Sequence, residues 1–137
     1  MRNPLHQKPP TSTVKITREV STTSIRQVSR AGIEIAGTIY ADTVAVTSGS
    51  VHERWTDKSV EALLPEDFAG LVADRPDLIL LGTGKRNAFA PRDLVFSLAR
   101  EGIGFEVMDT KAAARTYNVL AGDGRRVAAV LFPERDD

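Results

Sequence analysis

Apolar and polar residues follow two different rhythms along this chain. Across residues 14–55 the apolar positions come in short runs broken by turn formers, which predicts strands and turns. Ile33-Glu34-Ile35 and Ile39-Tyr40 flank Ala36-Gly37, where Gly37 can supply the positive φ of a hairpin turn. Val44-Ala45-Val46 and residues 51–55 continue this half, separated by Ser48-Gly49-Ser50. Further on the period lengthens. Pro65 with Glu66 and Asp67 marks a helix start, because proline suits a first turn and acids there face the positive end of the dipole. Phe68, Leu71 and Val72 then form one apolar stripe, ended by Asp74-Arg75-Pro76. Pro91 opens a second helix, with Leu94, Val95 and Leu98 expected inward and Gly102 as its C′ residue. Asp109 or Thr110 caps a third, whose Ala113, Tyr117 and Leu120 share a face and which is expected to end at Gly122.

Between these helices lie three apolar segments of strand length. Leu78-Ile79-Leu80-Leu81 is unbroken, so it reads as a strand covered on both faces. Ile103, Phe105 and Val107 alternate, and residues 127–132 are again wholly apolar. Strand, helix, strand, helix, strand over residues 77–132 predicts an α/β fold with a mainly parallel sheet under helices. The β-rich first half must extend that sheet or pack as a smaller layer. Residues 1–12 carry three prolines and no periodicity, so a disordered tail is expected there and one domain over residues 13–137.

Composition then removes whole classes of function. The chain has no cysteine, which excludes disulfides, thiolate zinc sites, Fe–S clusters and cysteine nucleophiles. Lys plus Arg and Asp plus Glu number 18 each, so the basic excess of a protein that lives on phosphate contacts is missing and nucleic acid is not an expected partner. No apolar run approaches the roughly 20 residues of a membrane span. The N-terminal segment has no apolar h-region. It is basic and acid-poor, as transit peptides are, but Pro4, Pro9 and Pro10 oppose an amphipathic helix. A soluble, cytoplasmic protein is expected, in preference to one of the mitochondrial matrix.

Two polar segments are candidates for chemistry. Gly82-Thr83-Gly84-Lys85-Arg86 directly follows the first buried strand, where open α/β sheets bind ligands. A Walker A loop would need glycine at Ile79 and Ser or Thr at Arg86, and a dinucleotide turn would need glycine at Asn87. Both fingerprints fail. Two glycines can still leave backbone N–H groups open beside Lys85 and Arg86, enough for a weak phosphate, sulfate or carboxylate site. In the alternative reading the glycines only let the strand turn. The second segment holds Asp109, Thr110, Arg115, Tyr117 and Asn118. Helix caps and a buried tyrosine explain part of it, while Asn118 is a poor helix former and calls for a specific contact. A polar pocket shared with residues 82–86 is the sharper reading. The candidate anion or partner site is thus Gly82, Thr83, Gly84, Lys85, Arg86, Asp109, Thr110, Arg115 and Asn118.

Catalysis finds little support. Of two histidines, His6 is in the tail and His52 reads as an exposed strand residue; no G-x-S-x-G elbow and no metal-ligand spacing exist. No catalytic, cofactor or metal residue is assigned. Trp55, the single tryptophan, reads as a core plug rather than a surface anchor.

Two strings carry a family likeness. One is Leu78-Ile79-Leu80-Leu81-Gly82-Thr83-Gly84-Lys85-Arg86. The other begins Gly102-Ile103-Gly104-Phe105-Glu106-Val107-Met108-Asp109-Thr110 and runs through Arg115-Thr116-Tyr117-Asn118-Val119-Leu120 to Arg125-Arg126-Val127-Ala128-Ala129. With a looser match over residues 32–55, the chain resembles a family of small uncharacterised bacterial and archaeal proteins. That family includes the mitochondrial respiratory complex I assembly factor 3 and an adipogenesis-associated cytosolic protein of animals. The resemblance implies a three-layer, single-domain α/β fold around a mixed, mostly parallel sheet with one antiparallel strand. It implies no enzyme activity and no cofactor, and action through protein partners. Two positions depart from the family: Ala114 stands where many relatives carry cysteine, and Ala36 where the hairpin often has asparagine. The leading expectation is therefore a non-catalytic interaction protein assisting assembly of respiratory complex I or another membrane complex. The alternative is a small-molecule or anion binder, or an enzyme, using the corner between residues 82–86 and 109–118.

Overall fold

The computed structural model describes residues 16–19 and 23–135, so the tail expected at residues 1–12 lies outside the described residues. The first half is built of β1 (Ile16–Glu19), β2 (Ile25–Ser29), β3 (Gly32–Ile35), β4 (Thr38–Tyr40), β5 (Val44–Thr47) and β6 (Ser50–Glu53). Then come two 3-10 turns, Val60–Ala62 and Pro65–Phe68, the second running into α1 (Ala69–Ala73). The second half is β7 (Leu78–Gly82), α2 (Arg92–Arg100), β8 (Gly104–Met108), α3 (Thr110–Gly122) and β9 (Val127–Leu131).

Both options for the first half are realised. Strands β1, β5 and β6 extend the main sheet, whose order is β1-β6-β5-β9-β7-β8, while β2, β3 and β4 form a separate antiparallel sheet. Strands β7, β8 and β9 pair in parallel, with Leu80 opposite Glu106 on one side and Ala129 on the other. β5 lies antiparallel to β9, β6 to β5 and β1 to β6. Four of the six described strands of this main sheet thus share a direction; β1 and β5 run against them, where the resemblance implied one such strand.

Unbroken apolar strands follow from this layering. Ile79 and Leu81 of β7 pack with Trp55, Phe68, Leu94 and Leu98 on one face; Leu80 packs with Ala113, Tyr117, Ile33 and Ile35 on the other. β9 divides in the same way, Val127, Ala129 and Leu131 against Ala128 and Val130. A strand between two covered faces has no solvent side, so alternation disappears. The first face is covered by α2, α1 and the 3-10 turns, the second by α3 and the small sheet. This makes a three-layer, mixed α/β domain. Among the described residues no helix is long and apolar enough to cross a membrane.

The helices differ from expectation in three places. Pro65 opens a 3-10 turn before α1, although Phe68 and Leu71 are buried as the stripe required. Val95 points outward, 39% exposed. It lies about 100° round the helix from Leu94, and Leu94 with Leu98 already fills the inward line. α3 includes Gly122 and closes one residue later at Asp123, with Gly124 N–H bonded to the Ala121 carbonyl and Arg125 N–H to that of Leu120.

The hairpin between β3 and β4 is a two-residue turn in which both Ala36 (φ 51) and Gly37 (φ 84) lie in the left-handed region. Such a type I′ turn favours Asn-Gly, and an alanine there carries a Cβ clash worth roughly 1–2 kcal/mol. Ala36→Gly is expected to raise stability by about 0.5–1 kcal/mol after the extra chain entropy of glycine is subtracted. Chemical denaturation measures it; no gain would show that the turn relieves the clash elsewhere.

Candidate functional site

The carboxyl end of β7 is shaped by a close approach. A Cβ on Gly82 would stand 2.9 Å from Thr110 Cα and 3.1 Å from Ala113 Cβ, so the first turn of α3 rests directly on this glycine. That contact brings the Thr110 side chain, wholly buried, between two other segments. Gly84 N–H donates to Thr110 Oγ1 at 2.8 Å, and the Thr110 hydroxyl donates to the Phe132 carbonyl at 2.6 Å. Thr110 N–H returns a bond to the Gly84 carbonyl, and Thr83 N–H bonds the Met108 carbonyl, both at 2.9 Å. The Thr83 hydroxyl donates to the Arg86 carbonyl at 2.7 Å and accepts from Ala88 N–H. The N–H groups of Thr83 and Gly84 are therefore taken up within the fold.

The second candidate segment divides along α3. Asp109 caps the helix, its Oδ1 accepting Ala112 N–H at 2.8 Å. Asn118 lies eight residues beyond Thr110, about 12 Å along the axis. Its amide serves as a substitute strand: Oδ1 accepts Ile25 N–H and Nδ2 donates to the Ile25 carbonyl, each at 2.8 Å. That is the specific contact this poor helix former needed. Beside it the Tyr117 and Thr23 hydroxyls share a hydrogen bond of 2.6 Å. Burial pushes the Tyr117 phenol above the ordinary tyrosine pKa, partly offset by that bond. Arg115 is exposed on the helix. The structure thus gathers Gly82, Thr83, Gly84, Asp109 and Thr110 at one end of α3 and places Asn118 under β2. One pocket holding all nine residues is not formed.

Lys85 and Arg86, together with Thr83 and Gly84, line a broad cleft of about 1490 Å³. It sits beyond the carboxyl ends of β6, β7 and β9, where it adds Arg54, Trp55, Lys58, Asp67 and Arg135 to the picture. This is where ligands collect in open α/β sheets. Its size exceeds the roughly 300–1,000 Å³ of an enclosing ligand pocket, and its charges are mixed. Lys58 Nζ holds Asp67 at 2.8 Å, and Arg135 stands 4.0 Å from Asp42. Sequence reasoning missed Arg54, Lys58 and Arg135 because they follow no motif and Arg135 lies far along the chain from the other two; Trp55 was the one signal nearby. Trp55 itself is buried and meets Phe68 edge-on at 5.0 Å. Among the described residues no group of three or more His, Cys, Asp or Glu is placed to hold a metal.

The other notable surface is apolar. Phe89, in the segment after this loop, is 95% exposed, and Phe96 on α2 is 54% exposed.

The sequence pattern of a family described as protein of unknown function, DUF498/DUF598, matches residues 25–132. The chain belongs to that family. The match runs from β2 to Phe132, so it takes in every described strand except β1, and the Gly82–Thr110 seat. An uncharacterised protein of Rhodobacter capsulatus is 40% identical over 92 residues, 63% of this chain and 74% of that one. The NADH dehydrogenase (ubiquinone) 1 alpha subcomplex assembly factor 3 of Danio rerio is 35% identical over 78 residues, 57% of this chain and 43% of the relative. The chain therefore spans less than half the length of that assembly factor. A solved Bordetella pertussis protein described as a Mth938-like domain is 27% identical with a TM-score of 0.72, covering 100% of this chain and 95% of its own.

Thr110 and Arg115 test how the α3 corner is built. Thr110→Val keeps the shape but leaves the Gly84 N–H and the Phe132 carbonyl buried without a partner. The expected loss is about 2–4 kcal/mol. Arg115→Ala should change stability by less than about 0.5 kcal/mol. Urea unfolding of both variants measures the contrast, and equal losses would mean the hydroxyl is not the tie described.

Proposed function

We propose that this protein is a non-catalytic interaction protein that assists assembly of a membrane-bound complex, acting from the cytoplasm. Respiratory complex I is the complex at which the name of its Danio rerio relative points. The observation that carries this reading is the contrast between the two surfaces. The polar groups of the α3 corner are engaged inside the fold, whereas Phe89, Val95 and Phe96 stand in solvent within eight residues of one another. Scattered exposed apolar residues are ordinary, but a local group of them marks a contact surface. Covering Phe89 alone would stabilise a complex by roughly 1.5–3 kcal/mol.

Recovery of the tagged chain from its native host in mild detergent, with identification of bound proteins, tests this. Subunits or assembly intermediates of a membrane complex are expected. Phe89→Asp with Phe96→Asp should lower their recovery about tenfold or more, since two apolar anchors become charged. The melting temperature should stay within a few degrees. Recovery of no such subunits, or recovery indifferent to both substitutions, would count against the reading.

A second reading rests on the position of the cleft at the carboxyl ends of β7 and β9. Here Lys85 and Arg86 would hold a small anion or a partner's carboxylate, alongside Gly82, Thr83, Gly84, Asp109 and Thr110 as the frame. Calorimetry with inorganic phosphate decides it: binding at about 1 mM that Lys85→Glu with Arg86→Glu abolishes would support the cleft as an anion site. The failed fingerprints predict that ATP and NAD bind no better than phosphate alone.

A further inference from the structure

The outward face of α2 has a pattern that its inward face does not explain. Arg92, Val95, Phe96, Ala99 and Arg100 are all exposed and fall at i, i+3, i+4, i+7 and i+8. That spacing makes one continuous stripe on a helix. Leu94 and Leu98, on the opposite side, already seat the helix on the sheet. α2 therefore carries two apolar stripes, one covered by its own fold and one not. Arg92, Phe96 and Arg100 form one i±4 ridge, and Val95 with Ala99 forms the next, the surface relief into which a second helix packs.

We infer that this stripe docks an amphipathic helix of a partner protein whose apolar face is bracketed by carboxylates about two turns apart. The inference rests on the interaction reading above and names the chemistry of the partner. Its charge argument is local. Arg92 and Arg100 lie eight residues apart, about 12 Å along the axis, one at each end of the apolar centre. Neither forms an ion pair among the described residues. Guanidinium groups so placed offer paired N–H donors to carboxylates at matching spacing. Residues 83–92 add Lys85 and Arg86 with no acid between them, and Phe89 projects from this basic stretch as a second anchor.

Two other occupants fit less well. A second copy of the chain, packed antiparallel about Phe96, sets Arg92 of one copy against Arg100 of the other, and parallel packing sets each arginine against itself. Like charges then meet at both ends. An anionic bilayer responds to summed charge within a Debye length. On α2 the two arginines are neighboured by Asp93 and Glu101, and the chain carries 18 charges of each sign. A discrete helix can place its acids opposite the arginines alone.

The test replaces Phe96 by a photo-reactive benzophenone amino acid in the full chain, expressed in its native host, and maps the crosslinked peptide by mass spectrometry. The expected product is a helical segment of another protein with carboxylates seven or eight residues apart. Its yield should fall about tenfold with Arg92→Glu and Arg100→Glu, and recover when the two mapped carboxylates become lysines. Arg92→Gln with Arg100→Gln should fall less, with the thermal melt of every variant unchanged. Crosslinks to lipid or to another copy would overturn the inference. So would a partner segment lacking the carboxylates, or a yield indifferent to charge reversal; either of these would leave the interaction reading standing. Failure to crosslink any protein, together with an empty recovery experiment, would sink both.

Discussion

The absence of a side chain at Gly82 governs the geometry of the whole carboxyl edge. Because nothing projects there, α3 can begin on top of β7 rather than beside it. Only at that distance can a single hydroxyl, that of Thr110, serve the loop after β7 and the end of β9 together. The tie matters because the groups it satisfies are buried, and a buried amide or carbonyl without a partner costs more than a hydrogen bond returns. Residues from three distant parts of the sequence are therefore held in register by one small contact. The loop carrying Lys85 and Arg86 leaves the sheet from this anchored base, and the exposed segment with Phe89 leads on from it into α2.

That arrangement fixes where the polar groups of the corner point. The α3 corner uses its polar atoms to cap, bridge and substitute for a strand. What reaches solvent is different in kind: balanced charges around a wide cleft, and aromatic side chains framed by arginines.

Much of the fold was readable because it depends on local pattern. The apolar runs at residues 78–81 and 127–132 could only be doubly covered strands, and the Ala36-Gly37 pair sat where a tight turn was needed. Val95 was misjudged because Leu94, Val95 and Leu98 all fit a stripe on paper, while the sheet accepts only one line of a nine-residue helix. The candidate site was less legible for a geometric reason. Asn118 meets Ile25 across 93 positions and Thr110 meets Phe132 across 22, and no spacing rule anticipates either pairing. The cleft-lining Arg135 is brought to Arg54 and Lys58 only by the order of strands in the sheet. Where a polar residue was out of place for its element, as Asn118 was in a helix, the sequence did signal that something distant must hold it.

The attachment of the small sheet through Asn118 and Tyr117 has a consequence for how the chain is made. Strands β2, β3 and β4 leave the ribosome before α3, yet the amide and phenol that fasten Ile25 and Thr23 belong to that later helix. Until α3 is complete, the apolar side chains of Ile33 and Ile35 have no layer to cover them. Contacts so distant in sequence form slowly, and transiently bare β surface invites association with other chains. A newborn chain of this design thus passes through a vulnerable interval that closes only when its third helix arrives.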